Sequence, residues 1–468
     1  MFSFNKKSII GSMLLVVWLG SIVTVFGQTT PSYFSLPQLT DSALHFYPSV
    51  MSKQALVASA RAGIMDAKHA ALPSLDVHDQ VTTSTANGVT GTFLPLGIAI
   101  PTAGGITANN NWQPAAGNIG LIYSQYELYN FGLNKARVMD AIANARFAES
   151  DYAKETYLLK LNVANYYLAL LKNIQQLGVE QDNVRRYETL FTVIRAQAAS
   201  GLKPGVDSSL AKAELAKARI NYNNQSDLVL RLREQLSMLT GISIDRLNVD
   251  TAVGRFNDLI IQNNFSSEVD TLNNPLVDYY RQIKNRYIAQ GKLIQKTYQP
   301  KIYLAGGFWG RGSSIDYQDQ YKAFASGLGY QRFNYSVGLA FTYNLFDGIH
   351  RKDQMTVNKF ATQSSDYDLQ EQKLYLSNSY QKAMASIDII QKNLLEIPIQ
   401  LQSARDAYHQ KVAQYNAGLI NLIDLTNSAF VLYRSQTDYI QTITNWLQAN
   451  LDKSAAAGTI DSFIQTIK

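Results

Sequence analysis

Apolar residues recur at helical spacing from Gly132 to Gly201, as at Leu158, Leu161, Val163, Tyr166, Leu170 and Leu171. No proline falls between Pro114 and Pro204, and Gly178 is the single glycine inside the run. The pattern predicts one helix over 133–199, which at ~1.5 Å per residue is roughly 100 Å long. A globular core has no use for that length, so a second rod must lie beside it. Residues 349–416 supply one, between Gly348 and Gly418, with Pro398 as its sole breaker. Each rod is followed by a glycine turn and a return helix, predicted over 206–240 and 421–452; Asp207, Ser208 and Ser209 are helix-start residues.

Four stretches change to period two. In 74–84, Leu75, Val77 and Val81 share one parity, and Ser74, Asp76, His78, Gln80 and Thr82 the other. Strands are also predicted at about 119–131, 301–309 and 333–346. The last is the cleanest: Tyr335, Val337, Leu339, Phe341, Tyr343 and Leu345 alternate with Asn334, Ser336, Gly338, Ala340, Thr342 and Asn344. A lipid-facing barrel strand with a polar lumen side requires this alternation, and a half-buried sandwich strand would share it. Before each strand pair the pattern predicts a helix, one over 36–72 ended by Pro73, the other opened by Asn274-Pro275-Leu276 and ended by Pro300.

The plan therefore occurs twice, in 28–241 and in 273–452, around a connector at 242–272 and before a tail at 453–468. Gly201 to Gly418 is a shift of 217 (418 − 201) and Phe131 to Phe346 one of 215 (346 − 131). Four strands cannot close a barrel, and an open edge in lipid leaves backbone groups unpaired, so several copies must share one barrel.

The N-terminus adds a destination. Lys6 and Lys7 precede an uncharged run from Ser8 to Gly27, which reads as a signal peptide over 1–27 cut before Gln28; an uncleaved anchor is the alternative. The remaining charge, with 42 basic against 36 acidic residues in the whole chain, is spread too evenly to suggest nucleic-acid binding. Without cysteine there is no disulfide, thiolate metal site or acceptor for an N-terminal lipid. His45, His69, His78, His350 and His409 have no metal-type spacing, and Gly306 to Gly312 lacks the Lys-Ser/Thr ending of a phosphate loop and reads as a barrel rim. No catalysis and no cofactor are expected. Asp207 is accounted for equally well as a helix cap; for Asp424, six residues past Gly418 among Leu422, Ile423 and Leu425, capping explains less.

These pieces resemble the TolC-type outer-membrane efflux proteins over nearly all of the chain beyond the export signal. The matching motifs are Leu72-Pro73-Ser74-Leu75 with its copy Gln299-Pro300-Lys301-Ile302, and Leu128-Tyr129-Asn130-Phe131-Gly132 with Tyr343-Asn344-Leu345-Phe346-Asp347-Gly348. Leu232 to Leu236 before Thr240-Gly241 also matches, as do the rod-tip turns Gly201-Leu202 with Asp207 and Tyr415-Asn416-Ala417-Gly418 with Asp424. The resemblance implies a mainly helical chain with membrane strands, the protomer of a trimeric twelve-stranded outer-membrane β-barrel continued by an α-helical periplasmic barrel. It implies an efflux or type I secretion duct, with a periplasmic adaptor touching the tip turns at Gly201, Leu202, Gly418 and Leu419, an inner-membrane transporter, and outer-membrane lipid around the barrel. It also implies a constriction at the tips: Asp424 matches the first axial aspartate, Asn427 replaces the second, and Tyr415 and Asp207 match a closing link. Ile420 and Ile443 stand where that link has arginines. The rival reading is an exported coiled-coil scaffold without a pore, for which the rods alone would suffice. A general diffusion porin is excluded by the helical share of the chain.

Overall fold

The computed structural model describes residues 33–88, 105–249 and 273–467. The expected signal peptide, part of the loop after the first strand and most of the connector lie outside these residues. Helices α1 (Leu36–Phe46) and α2 (Pro48–His69) lead into strands β1 (Ser74–Ser84) and β2 (Ala115–Tyr129). The first rod, α3 (Leu133–Ala199), returns as α4 (Gly205–Thr240). After α5 (Pro275–Thr297) come β3 (Lys301–Ser313), β4 (Arg332–Thr342), the second rod α6 (Asp347–Asn416), its return α7 (Leu422–Ala457) and a short α8 (Ile460–Thr466).

The rods are 67 and 70 residues long, so each spans roughly 100 Å at ~1.5 Å per residue. Helix α6 runs through Pro398 without ending. Rods and returns form two antiparallel hairpins, α3 with α4 and α6 with α7, and α3 against α7 joins them. Towards the sheet, α2 and α5 lie against α3, and α5 lies against α6.

Most of the core is a girdle part-way along the rods. Val163, Ala164, Tyr167, Leu170 and Leu171 of α3 meet Leu36 and Leu39 of α1, Leu236 of α4 and Trp446, Leu447 and Leu451 of α7. Asn274 fastens the second half to it: its side chain caps α5 by accepting from the Leu276 N–H at 2.9 Å and donates to the Ala455 carbonyl at 2.9 Å. Beyond the girdle the core thins to small clusters, one at Tyr187, Leu215 and Ala218 and one at the tips.

The four strands of the described residues form one antiparallel sheet in the order β1-β2-β3-β4, in which β1 and β4 each have one edge unpaired by these residues. The register places Val77 opposite Ile122, Ile122 opposite Phe308 and Phe308 opposite Tyr335, so these side chains share one face. Leu75, Leu304, Val337, Leu339 and Phe341 extend that apolar face, and all of them are exposed. Asp76, His78, Gln80, Ser336 and Asn334 lie on the other. Among the described residues no helix is long and apolar enough to cross a membrane.

Several boundaries differ from expectation. The helix expected over 36–72 is two, because Pro48 has no N–H to donate and holds Tyr47 extended at φ −73° and ψ 119°. Strand β2 begins at Ala115 rather than 119. Strand β3 continues to Ser313 through the glycines expected to form the rim; they are strand residues because the β3–β4 loop lies against them, leaving no room for a Cβ on Gly312 beside the Gly329 carbonyl. Strand β4 stops at Thr342 rather than 346, where the Asn344 side chain accepts from the Phe346 N–H at 3.1 Å and turns the chain into α6. The tail expected at 453–468 is core: α7 extends to Ala457, and Ile460, Phe463 and Ile464 of α8 insert into the girdle.

Two outcomes follow from this packing. Phe463 is 1 % exposed, so Phe463→Ala should lower stability by about 3–5 kcal/mol in denaturant or thermal unfolding; a shift under about 1 kcal/mol would place α8 outside the core. Ala164→Pro should break the α3 ladder at a cost of ~3 kcal/mol or more and reduce the helical circular dichroism. Unchanged helicity would mean that α3 is already interrupted there.

Candidate functional site

The far ends of the two hairpins are built alike. Gly201 and Gly418 take left-handed φ of +73° and +74°. At the first turn the Leu202 N–H donates to the Gln197 carbonyl at 2.9 Å and the Gly201 N–H to Ala198 at 3.2 Å. At the second, Leu419 donates to Gln414 at 2.9 Å and Gly418 to Tyr415 at 3.0 Å. This is the paired bonding of a glycine-terminated helix, whose apolar residue after the glycine normally packs back onto the last turn. Leu202 and Leu419 do not: each is 75 % exposed at the very end of its hairpin.

The returning helices begin three residues later. Pro204 is the N-cap of α4 and Asn421 that of α7, the Asn421 side chain accepting from the Asp424 N–H at 2.9 Å. Asp207 and Asp424 therefore stand at the equivalent first-turn position and neither is itself the cap; the dipole of each helix start favours their charge. Asp424 and Asn427 are exposed and lie one turn apart on α7, whereas Asp207 is half-buried.

Tyr415 closes the inside of the tip. It is 2 % exposed, packed against Ile194, Ala211, Leu422 and Leu425, with Lys203 Nζ 4.9 Å from the ring centroid. Burial pushes its phenol up from the ordinary value and the charge of Asp207 adds to the shift. The structure thus brings Tyr415, Lys203 and Asp207 together, but the Tyr415 hydroxyl has no hydrogen-bond partner among the described residues. The two isoleucines at the arginine positions serve packing, Ile420 at the tip and Ile443 in the girdle.

A second polar group, missed from the sequence, lies in the seam between α3 and α7. Glu180 is 4 % exposed; its Oε1 accepts from the Tyr433 hydroxyl at 2.6 Å and from Gln176 Nε2 at 2.9 Å. Gln176 also reaches Thr437 at 3.2 Å, and Arg186 donates to Gln436 at 3.2 Å across the same seam. Burial, and then the neighbouring Glu180, push the Tyr433 phenol up to about 12. Its raised value favours the folded state below the ordinary phenol pKa near 10, and that contribution is lost as pH rises from there through about 12. Glu180, Asn183 and Tyr187 continue the buried stripe of Val163, Tyr167 and Leu170 in steps of three and four, and a carboxylate on such a stripe was the available signal.

The described residues thus carry a sheet with one apolar face on two helical hairpins whose rods each span roughly 100 Å. The sequence model of the outer membrane efflux protein family matches residues 39–242 and 273–459, and the chain belongs to that family. Its fold is that of the outer membrane protein VceC from Vibrio cholerae, with a TM-score of 0.70 at 17% identity over 90% of this chain and 96% of that one. The Campylobacter jejuni CmeC outer membrane channel gives 0.72 at 14% identity, covering 98% and 94%. The Neisseria gonorrhoeae MtrE outer membrane channel in its open state gives 0.65 at 14%, covering 91% and 89%. No curated protein matches the sequence.

The seam makes a testable claim. Tyr433→Phe should cost about 1.5–3 kcal/mol, as for a hydrogen bond to a charged group, and combined with Glu180→Gln it should be non-additive by about 0.5–3 kcal/mol in a double-mutant cycle of thermal unfolding. Strict additivity would mean that the two side chains do not interact.

Proposed function

We propose that the chain is the protomer of a homotrimeric exit duct, its strands completing one twelve-stranded barrel in the outer membrane and its hairpins forming a tunnel through the periplasm. The observation that carries this reading is the sheet: one face is apolar and exposed, and among the described residues both edges are unpaired, a combination that lipid tolerates only in a closed barrel shared among copies. Family membership supports the same reading and disfavours the pore-free scaffold. The duct is passive. An inner-membrane transporter and a periplasmic adaptor deliver cargo to it, in efflux or in type I secretion, and no cofactor takes part.

The matching tip turns, 217 residues apart (418 − 201), support reading 28–241 and 273–452 as duplicated halves. Leu202 and Leu419, apolar and turned outwards, suit contact with the adaptor's helices. Asp424 and Asn427 form the constriction, with Asp207 and Tyr415 behind it. Threefold symmetry then gathers the Asp424 carboxylates around the axis, where their field attracts cations.

Planar-bilayer recording tests this. A trivalent cation added on the periplasmic side should block the parent pore, Asp424→Ala should abolish the block with assembly intact, and replacing Asn427 should change little. If the Asp424→Ala pore is blocked as tightly as the parent, the carboxylate faces away from the lumen.

A further inference from the structure

At the outer end of the sheet one row crosses all four strands: Gln80 pairs with Ile119, Ile119 with Arg311 and Arg311 with Arg332. Pairing directly opposite places both arginines on one face, the face away from Val77, Ile122, Phe308 and Tyr335. Two like charges directly opposite each other on neighbouring strands lie about 4.5–5.5 Å apart at Cβ and destabilise the pair. A carboxylate beside such a pair would offset the repulsion, and none among the described residues pairs with either arginine. Among the described residues neither arginine has an ion pair; Arg332 Nη1 donates only to the Gln331 carbonyl, at 3.0 Å.

Of the acids at this end and along the sheet, Asp79, Asp316 and Glu127 are engaged elsewhere, and the exposed Asp319 of the β3–β4 loop pairs with neither arginine. Asp79 lies on the apolar face and accepts from the Tyr330 hydroxyl at 2.9 Å. Asp316 pairs with Lys322 at 3.4 Å, and Glu127, at the periplasmic end of the sheet, faces Arg137 and Lys301. Asp76 shares the face of the arginines but lies two rungs inward, about 14 Å along the strand at ~3.4 Å per residue. Both arginines are exposed. The rung just inward holds His78, Trp309 and Asn334, and the next outward Thr82 and Ser313, so the arginines are flanked by hydrogen-bonding groups.

We propose that Arg311 and Arg332 form a cationic collar at the outer mouth that binds oxyanionic groups, phosphate or carboxylate, of solutes passing through the lumen. The proposal rests on the duct reading, which makes the polar face of the sheet the lumen wall. Each copy contributes one pair, and the planar fork of a guanidinium matches an oxyanion with two parallel hydrogen bonds. A bound oxyanion also removes the repulsion within each pair. The collar is opposite in sign to the Asp424 ring proposed at the other end of the tunnel. An anionic solute therefore meets its attractive site last, next to the exit.

Two measurements test this on the purified full-length protein. In detergent, inorganic tripolyphosphate should raise the melting temperature of the parent; Arg311→Gln/Arg332→Gln should melt higher than the parent without the anion and gain nothing from it. In planar bilayers, tripolyphosphate added on the side of the strand loops should block the parent current, and the double variant should need about tenfold more for half-block. Lys322→Gln, a change to a loop cation outside the collar, should behave as the parent does in both. Equal block or equal stabilisation in parent and double variant overturns the collar, as does an effect of Lys322→Gln as large as theirs. A parent that is stabilised by tripolyphosphate but conducts no current keeps the site and overturns the duct; one that conducts but responds to the anion in neither assay keeps the duct and overturns the collar.

Discussion

The edges of the sheet constrain everything else. Strands β1 and β4 each present a row of backbone N–H and C=O groups with no partner among the described residues, and the face beside them is apolar and exposed. In water that combination is an aggregation template; in lipid each unpaired group costs several kcal/mol. In the proposed duct, pairing β1 of one copy with β4 of the next would satisfy both rows and close the wall. The helices follow from the same requirement, since the rods continue directly from β2 and β4 and each strand pair feeds one hairpin.

Packing is uneven along the hairpins, and the unevenness matches the proposed roles. In the girdle, six helices, α1 to α4, α7 and α8, bury apolar side chains together. Towards the tips only two hairpins remain, and their seam replaces leucines with Gln176, Glu180, Arg186, Tyr433 and Gln436. Hydrogen bonds of this kind contribute little net stability compared with buried apolar area, but they specify one alignment and are costly when one partner is lost. The tip thus has a defined register on a thin core, while the girdle sets the stability of the whole. Tyr415 belongs to this thin region, buried and with no partner for its hydroxyl among the described residues.

Much of this was legible in the residues, for a physical reason: rods of 67 and 70 residues leave a long periodic record, and β4 alternates without a fault. The tip turns were legible because left-handed φ selects glycine. Other features were hidden because two local rules compete. Pro48 sits within an alanine-rich helical pattern, and proline is tolerated at a helix start as readily as it breaks an interior, so the split at Tyr47 was masked. The glycines of β3 look like a loop by composition but are strand by the close approach of another backbone. Helix α8 is only 7 residues long, too short for periodicity to speak, and owes its place to tertiary contacts. Glu180 is a charged residue on a buried stripe, and its role depends on Tyr433, 253 residues away. The roles of Ile420, packed at the tip, and Ile443, packed in the girdle, were not readable either, because such packing is a property of the folded neighbours.

The central claim is that one copy of this chain is an incomplete wall. The most direct measurement is the mass of the purified particle by light scattering with the detergent contribution subtracted. The account predicts a single species containing three chains. A monodisperse particle of one chain, stable in detergent, would contradict it, because four strands with two open edges would then be sufficient.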